Sequence, residues 1–295
     1  MAVYDRNFGI YQGVRTPTWS RFLIVPRYAY QEVFQSRLFV AFLGFCFLIP
    51  FAGLLIIYLH HNLAALNFLN LPLDRLQEAI PINARFFRRG LELQGGLCFL
   101  LALLVGPALI SPDLRNNGLP LYLSRPFSRT EYVLGKASVL AILMSAITWI
   151  PGLLLFFFQS YLEGASWMGD NLAIGFAIFF GSWLWIVVLS LLTLAVSAWV
   201  KWKPVARISL LILFYVPWGF ARVLNATQDT WWGYLVALWP TMTTVWTRLF
   251  GLPLEAADYS GRTMPLGAAW FALVVCCLIS LALLSRRIRA YEVVR

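Results

Sequence analysis

Side chains able to do chemistry are sparse in this chain, and their spacing excludes more than it offers. His60-His61 is the histidine pair. Adjacent residues diverge on a helix and two ligands are too few for a zinc centre, so they read as interface polar groups. There is no H-E-x-x-H and no G-x-S-x-G. The dipeptide nearest to a phosphate loop is Gly135-Lys136. It has Thr130 where the first glycine belongs and Ala137 where the hydroxyl belongs, so the chain lacks that cradle. Cys46, Cys98, Cys276 and Cys277 lie inside apolar runs and read as small buried hydrophobes. No catalytic residue and no metal ligand is assigned on this basis. The remaining polar constellation is His60, His61, Arg85, Arg88, Arg89 and Glu92, whose arginines suit anionic headgroups.

The richest stretch is Ser111–Lys136, SPDLRNNGLPLYLSRPFSRTEYVLGK. Asp113 is placed to cap a short helix around Leu114–Asn117, and Asn116-Asn117-Gly118 offers a turn. Leu119–Leu123 forms an apolar and aromatic patch bounded by Pro120 and Pro126. Ser128 and Glu131 have capping-box spacing, S-x-x-E, just ahead of an apolar run. One reading is a well-capped connection with basic anchors; the other is an exposed docking surface.

The elements that must position this loop are membrane helices. The chain has 295 residues, of which 60% are hydrophobic and 12% charged. Soluble domains carry about 25% charged residues, so this composition, with a mean hydropathy of +0.73, excludes an ordinary globule and a disordered chain. Apolar runs of about 18 or more residues mark spans. Six are expected, at 38–59, 93–110, 133–158, 171–200, 205–221 and 266–285. The fold class is therefore all-α, a polytopic membrane protein with six transmembrane helices. Pro50, Pro107, Pro151 and Pro217 fall within spans, where neighbours must satisfy the carbonyls they free. Trp231–Trp246, interrupted by Pro240, is too short to cross and reads as a re-entrant or interfacial helical segment between helices five and six.

Basic residues fix the expected orientation. With both termini cytoplasmic, sixteen of the 23 lysines and arginines lie on the inner side and seven outside. The arginines at 85, 88 and 89 stand against that bias. The domain plan is a cytoplasmic tail with an interfacial helix, 1–37, followed by one six-helix domain, 38–295, with a cytoplasmic loop at 111–132. In the tail, Ala29, Tyr30, Val33 and Phe34 share a face opposite Gln31 and Gln35. Trp199 and Trp202 are placed at the inner interface, and Trp231, Trp232, Trp239 and Trp246 at the outer headgroup layer. No Asp, Glu, Lys or Arg sits at mid-depth in a span; Lys136 and Arg207 lie within a turn of the inner interface, close enough to snorkel. Coupled transporters build on intramembrane charge, so energy for any transport is expected from a partner.

The loop resembles the cytoplasmic loop of type-2 ATP-binding-cassette (ABC) transporter permeases, S-R-P-x-S-R-x-x-Y-x-x-G-K before a span. Here this is Ser124-Arg125-Pro126, Ser128-Arg129, Tyr132 and Gly135-Lys136. Asn116-Asn117-Gly118 departs from the acidic stretch of many relatives. The resemblance implies the permease subunit of an ATP-driven exporter in a prokaryotic plasma (inner) membrane. It implies a homodimer or heterodimer with a second permease, ABC ATPase subunits as partners, and spans one and five at the dimer interface. It implies no cofactor in this chain, ATP and Mg being held by the ATPase. Contact with the ATPase is expected from Asp113, Leu114, Arg115, Asn116, Leu119, Tyr122, Leu123, Arg125 and Arg129. Membrane lipids are expected partners and nucleic acid is not; substrate-binding residues stay unassigned. The alternatives are a membrane enzyme or assembly factor acting on lipid-linked substrates, and a scaffold subunit of a larger membrane complex.

Overall fold

A computed structural model describes residues 24–62, 80–116, 129–254 and 263–287. Among these residues the structure is helical, with no strand. In chain order the elements are α1 (Ile24–Phe34), α2 (Arg37–Cys46), α3 (Leu48–His61), α4 (Ala84–Arg115), α5 (Arg129–Ile147), α6 (Trp149–Glu163), α7 (Ala165–Asp170), α8 (Leu172–Trp199) and α9 (Lys203–Gln228). A 3-10 turn (Trp232–Val236), α10 (Leu238–Leu249) and α11 (Leu266–Arg287) follow.

Six helical stretches among the described residues are long and apolar enough to cross a membrane: Arg37–His61, Ala84–Asp113, Arg129–Glu163, Leu172–Trp199, Lys203–Gln228 and Leu266–Arg287. They fall on the six apolar runs, and most overrun them. The largest extension is in α4, whose 32 residues span about 48 Å and reach past a ~30 Å hydrocarbon core at the ends. Polar residues at 85–92 and at 113 thus belong to the helix itself.

Prolines set the breaks. α2 and α3 part at Phe47, three residues before Pro50, and α5 and α6 part at Thr148, three residues before Pro151. A proline removes the N–H due to the carbonyl four residues back and crowds it. Thr148 Oγ1 donates to the Met144 carbonyl at 2.7 Å and seals the second break. Pro240 does not interrupt a helix; it sits in the first turn of α10, where a missing N–H costs nothing.

α4 is the central helix. Its most apolar window is 72% buried, against 22% for the first and fifth spans and 17% for the sixth. Its main partner is α8, and small residues bring the two together. A Cβ on Gly106 would overlap the Thr193 Cγ2 methyl. Ser111 N–H donates to Ser197 Oγ at 3.1 Å, and Ser111 Oγ donates to the Ser197 carbonyl at 3.2 Å. α9 packs through one stripe, Ala206, Leu210, Phe214, Ala221 and Asn225, leaving most of the rest of its surface exposed. In α1, Ala29 and Val33 are buried against α5, whereas Phe34 is exposed. Burial pushes the Tyr30 phenol up to about 12, so it stays protonated.

A tryptophan wedge fills the Arg85 half of the bundle. Trp185, Trp239 and Trp246 meet edge to face at 5.8 to 6.0 Å between centroids. Trp185 Nε1 donates to the Gly95 carbonyl and Trp246 Nε1 to the Gly181 carbonyl, both at 2.9 Å. Trp246 is fully buried, which corrects its expected place in a headgroup layer. Its ring lies where Cβ atoms on Gly95 and Gly181 would come within 2.5 and 2.9 Å, so these glycines make its slot. Trp199, Trp202 and Trp232 are exposed.

Candidate functional site

The structure gathers polar side chains at the two ends of α4. At the Asp113 end, α4 runs unbroken to Arg115, with Asn116 as its C-cap. Asp113 therefore caps no new helix, contrary to the sequence expectation. Its carboxylate instead crosses to α5. Asp113 Oδ2 accepts from Tyr132 Oη at 2.7 Å and pairs with Lys136 Nζ at 3.0 Å. Lys136 also lies 5.6 Å from the centre of the Tyr132 ring. Tyr132 is fully buried, Lys136 7% exposed and Asp113 partly buried, so the three groups meet largely away from solvent. Lys136 does not snorkel outward. Two of the loop motif's polar residues thus hold the helices on either side of residues 117–128.

Arg115, expected at the docking surface, stacks over Trp202 at 5.1 Å and ties the end of α4 to the start of α9. Asn116 and Arg129 are exposed at the two edges of the loop. Glu131 lies in the first turn of α5, where a carboxylate favours the helix dipole. Leu114 lies in the last turn of α4. Leu119, Tyr122, Leu123, Arg125 and Ser128 lie outside the described residues, and the Ser128 half of the expected capping box with them.

Arg207 is a polar contact that sequence reasoning missed. It does not snorkel: Nε donates to the Leu103 carbonyl at 3.2 Å and Nη2 to the Leu104 carbonyl at 3.3 Å. Leu103 is four residues before Pro107, so its carbonyl is the one the proline leaves without an intrahelical donor. A guanidinium from α9 thereby completes the backbone of α4. The pairing of an in-span proline with a basic residue in another span was the available signal.

At the other end, Asn83 caps α4, its Oδ1 accepting from the Arg85 N–H at 2.9 Å. Arg85, Arg88, Arg89 and Glu92 then follow at i, i+3, i+4 and i+7, one face of the helix. They open onto a cavity of about 600 Å³ shared with Trp218 and Arg222 of α9, Tyr234 of the 3-10 turn, and Trp239, Thr243, Thr244 and Thr247 of α10. Arg88 pairs with Glu92 at 3.5 Å and donates to Thr247 Oγ1 at 3.4 Å. The turn that brings Tyr234 here is built on buried Asn225, whose Oδ1 accepts from the Gly233 N–H at 3.0 Å. A Cβ on Gly233 would stand 2.5 Å from that oxygen, so the close approach requires glycine.

The sequence constellation therefore divides. Arg85, Arg88, Arg89 and Glu92 share the cavity, whereas His61 pairs with Glu163 of α6 at 3.1 Å. Among the described residues no group of three or more His, Cys, Asp or Glu is placed to hold a metal ion. The fold and these two ends define a multi-pass helical membrane protein. No protein-family model matches the chain, and no curated protein matches it in sequence.

Proposed function

We propose that this chain is the membrane-spanning permease subunit of an ATP-driven ABC exporter of the type-2 class. Separate ATPase subunits would bind the stretch 111–132, which the structure divides into the end of α4, the residues between and the start of α5, and a second permease would complete a dimer. The single observation that carries the reading is the convergence of Tyr132 and Lys136 on Asp113. These motif residues clamp the base of the loop, so a push on residues 117–128 reaches α4 and α5 as a unit. α4 in turn is packed along α8 and held to α9 by Arg207. A load at the loop thus has a rigid path into the bundle, the kind of coupled element that rocking transitions use.

Both termini lie on the cytoplasmic side in this reading, because the basic residues of the tails, the loop and the α8–α9 connection fall together. The 3-10 turn and α10 form the re-entrant or interfacial segment. The membrane is the plasma membrane of a prokaryote. An enzyme or assembly factor for lipid-linked substrates draws support from the arginine-lined cavity, though no lining residue among those described has the arrangement of a nucleophile with its base.

The test is co-purification of the full chain with its co-expressed ATPase. The native loop should retain the ATPase, and deletion of residues 117–124, which leaves Asp113 paired with Lys136, should release it. Retention after the deletion would overturn the coupling role.

A further inference from the structure

The arginine cavity continues into an apolar groove. Trp218 and Trp239 line both. The groove, about 390 Å³, runs between α4 and α9 past Leu93, Leu97, Phe99, Leu100 and Phe214, with Gly96 on its wall. Phe99 and Phe214 stack at 3.9 Å and give it an aromatic base. The two spaces differ sharply in chemistry. The first holds four guanidinium groups, from Arg85, Arg88, Arg89 and Arg222, against one carboxylate, Glu92, among its described lining residues.

The cavity also holds buried donors with nothing to bond among the described residues. Tyr234 is 2% exposed, and its hydroxyl has no partner among the described residues. Arg88 Nε is likewise buried and, among the described residues, unpartnered. A buried donor left unmade costs about 1–3 kcal/mol, so such groups point to an acceptor that joins them. The threonines are not competing donors: Thr243 and Thr244 both donate to the Pro240 carbonyl, and Thr247 to the Thr243 carbonyl. An anion with several acceptor oxygens fits the guanidinium cluster. A soluble anion would leave the adjoining groove unused.

We infer that this cavity and groove form one binding site for a lipid with an anionic phosphate headgroup. The headgroup lies among Arg85, Arg88, Arg89 and Tyr234, and a hydrocarbon tail lies along Gly96, Phe99 and Phe214. Trp218 and Trp239 stand at the junction, where amphipathic rings favour a headgroup boundary. The inference goes beyond the exporter reading and does not depend on an ATPase.

The test is titration of the purified full chain with dioctanoyl phosphatidylglycerol, dioctanoyl phosphatidylcholine and glycerol phosphate, followed by native mass spectrometry. Phosphatidylglycerol should bind about tenfold or more tightly than either of the others. The double variant Arg85→Gln/Arg89→Gln should erase the preference over phosphatidylcholine. A Cβ on Gly96 meets Trp239 Cη2 at 3.9 Å, an ordinary contact, so Gly96→Leu fills the groove from its wall. That variant should weaken both lipids and leave glycerol phosphate unchanged. Equal binding of the two lipids, or glycerol phosphate binding as tightly as phosphatidylglycerol, overturns the site, and this comparison needs only the native chain. Absence of lipid binding with Gly96→Cys cross-linking copy to copy would assign the groove to a second chain instead, and would equally overturn it.

Discussion

Lys136 Nζ stands 3.0 Å from Asp113 Oδ2, joining the last turn of α4 to the second turn of α5 across the base of the loop. Neither charge has much water, so each depends on the other. Removing one member of a buried pair costs about 3–5 kcal/mol, whereas replacing both is far milder. Lys136→Met and Asp113→Asn should each lower thermal stability in detergent, and the double variant should recover a large part of the loss. Additive losses would show that the pair is not a unit.

Tyr132→Phe keeps the ring and removes one hydrogen bond to the same carboxylate. The expected cost is about 1–2 kcal/mol, smaller than for Lys136→Met, read as a shift in unfolding midpoint. A larger effect than that of Lys136→Met would contradict the assignment of the ion pair as the main tie.

Arg207 and Pro107 make a sharper case. Arg207→Ala should destabilise the chain by leaving the Leu103 carbonyl without a donor. Pro107→Ala restores the backbone N–H that serves that carbonyl, so in its background Arg207→Ala should cost clearly less. A double-mutant cycle with coupling of about 1 kcal/mol or more is expected; a coupling near zero would remove Arg207 from this role.

The α4–α8 contact gives a fourth test. Gly106→Ala should cost about 1–3 kcal/mol through overlap with the Thr193 methyl. Thr193→Ser, which deletes that methyl and keeps the hydroxyl, should rescue it. Failure of rescue would mean that the backbones are not held where Gly106 and Thr193 meet.

Six spans were legible because apolar length is a property of the chain alone, and each run falls on a helical stretch of the structure, two of them broken near a proline. What periodicity did not carry was the partner of each exception. Lys136 and Arg207 read as interface cations because a sequence shows their depth and not the acceptor across the gap. Asp113 read as a cap because an aspartate ahead of a short polar run suits a helix start as readily as a last turn. Trp246 read as a headgroup residue because ring chemistry favours interfaces, whereas Gly95 and Gly181 together cut a slot for it in the core. The arginine cluster was visible as an anomaly in charge placement. Its setting became apparent only once α9 and α10 formed a cavity beside it.

The central claim is that the loop between α4 and α5 receives an ATPase. The most direct measurement places a photo-crosslinking amino acid at Tyr122 in the full chain, co-expressed with its ATPase in membranes, and reads the cross-linked product with and without ATP. The account predicts a product with the ATPase whose yield changes on ATP binding. A complex that assembles and hydrolyses ATP without any cross-link from the loop, or a chain that retains no ATPase, would contradict it.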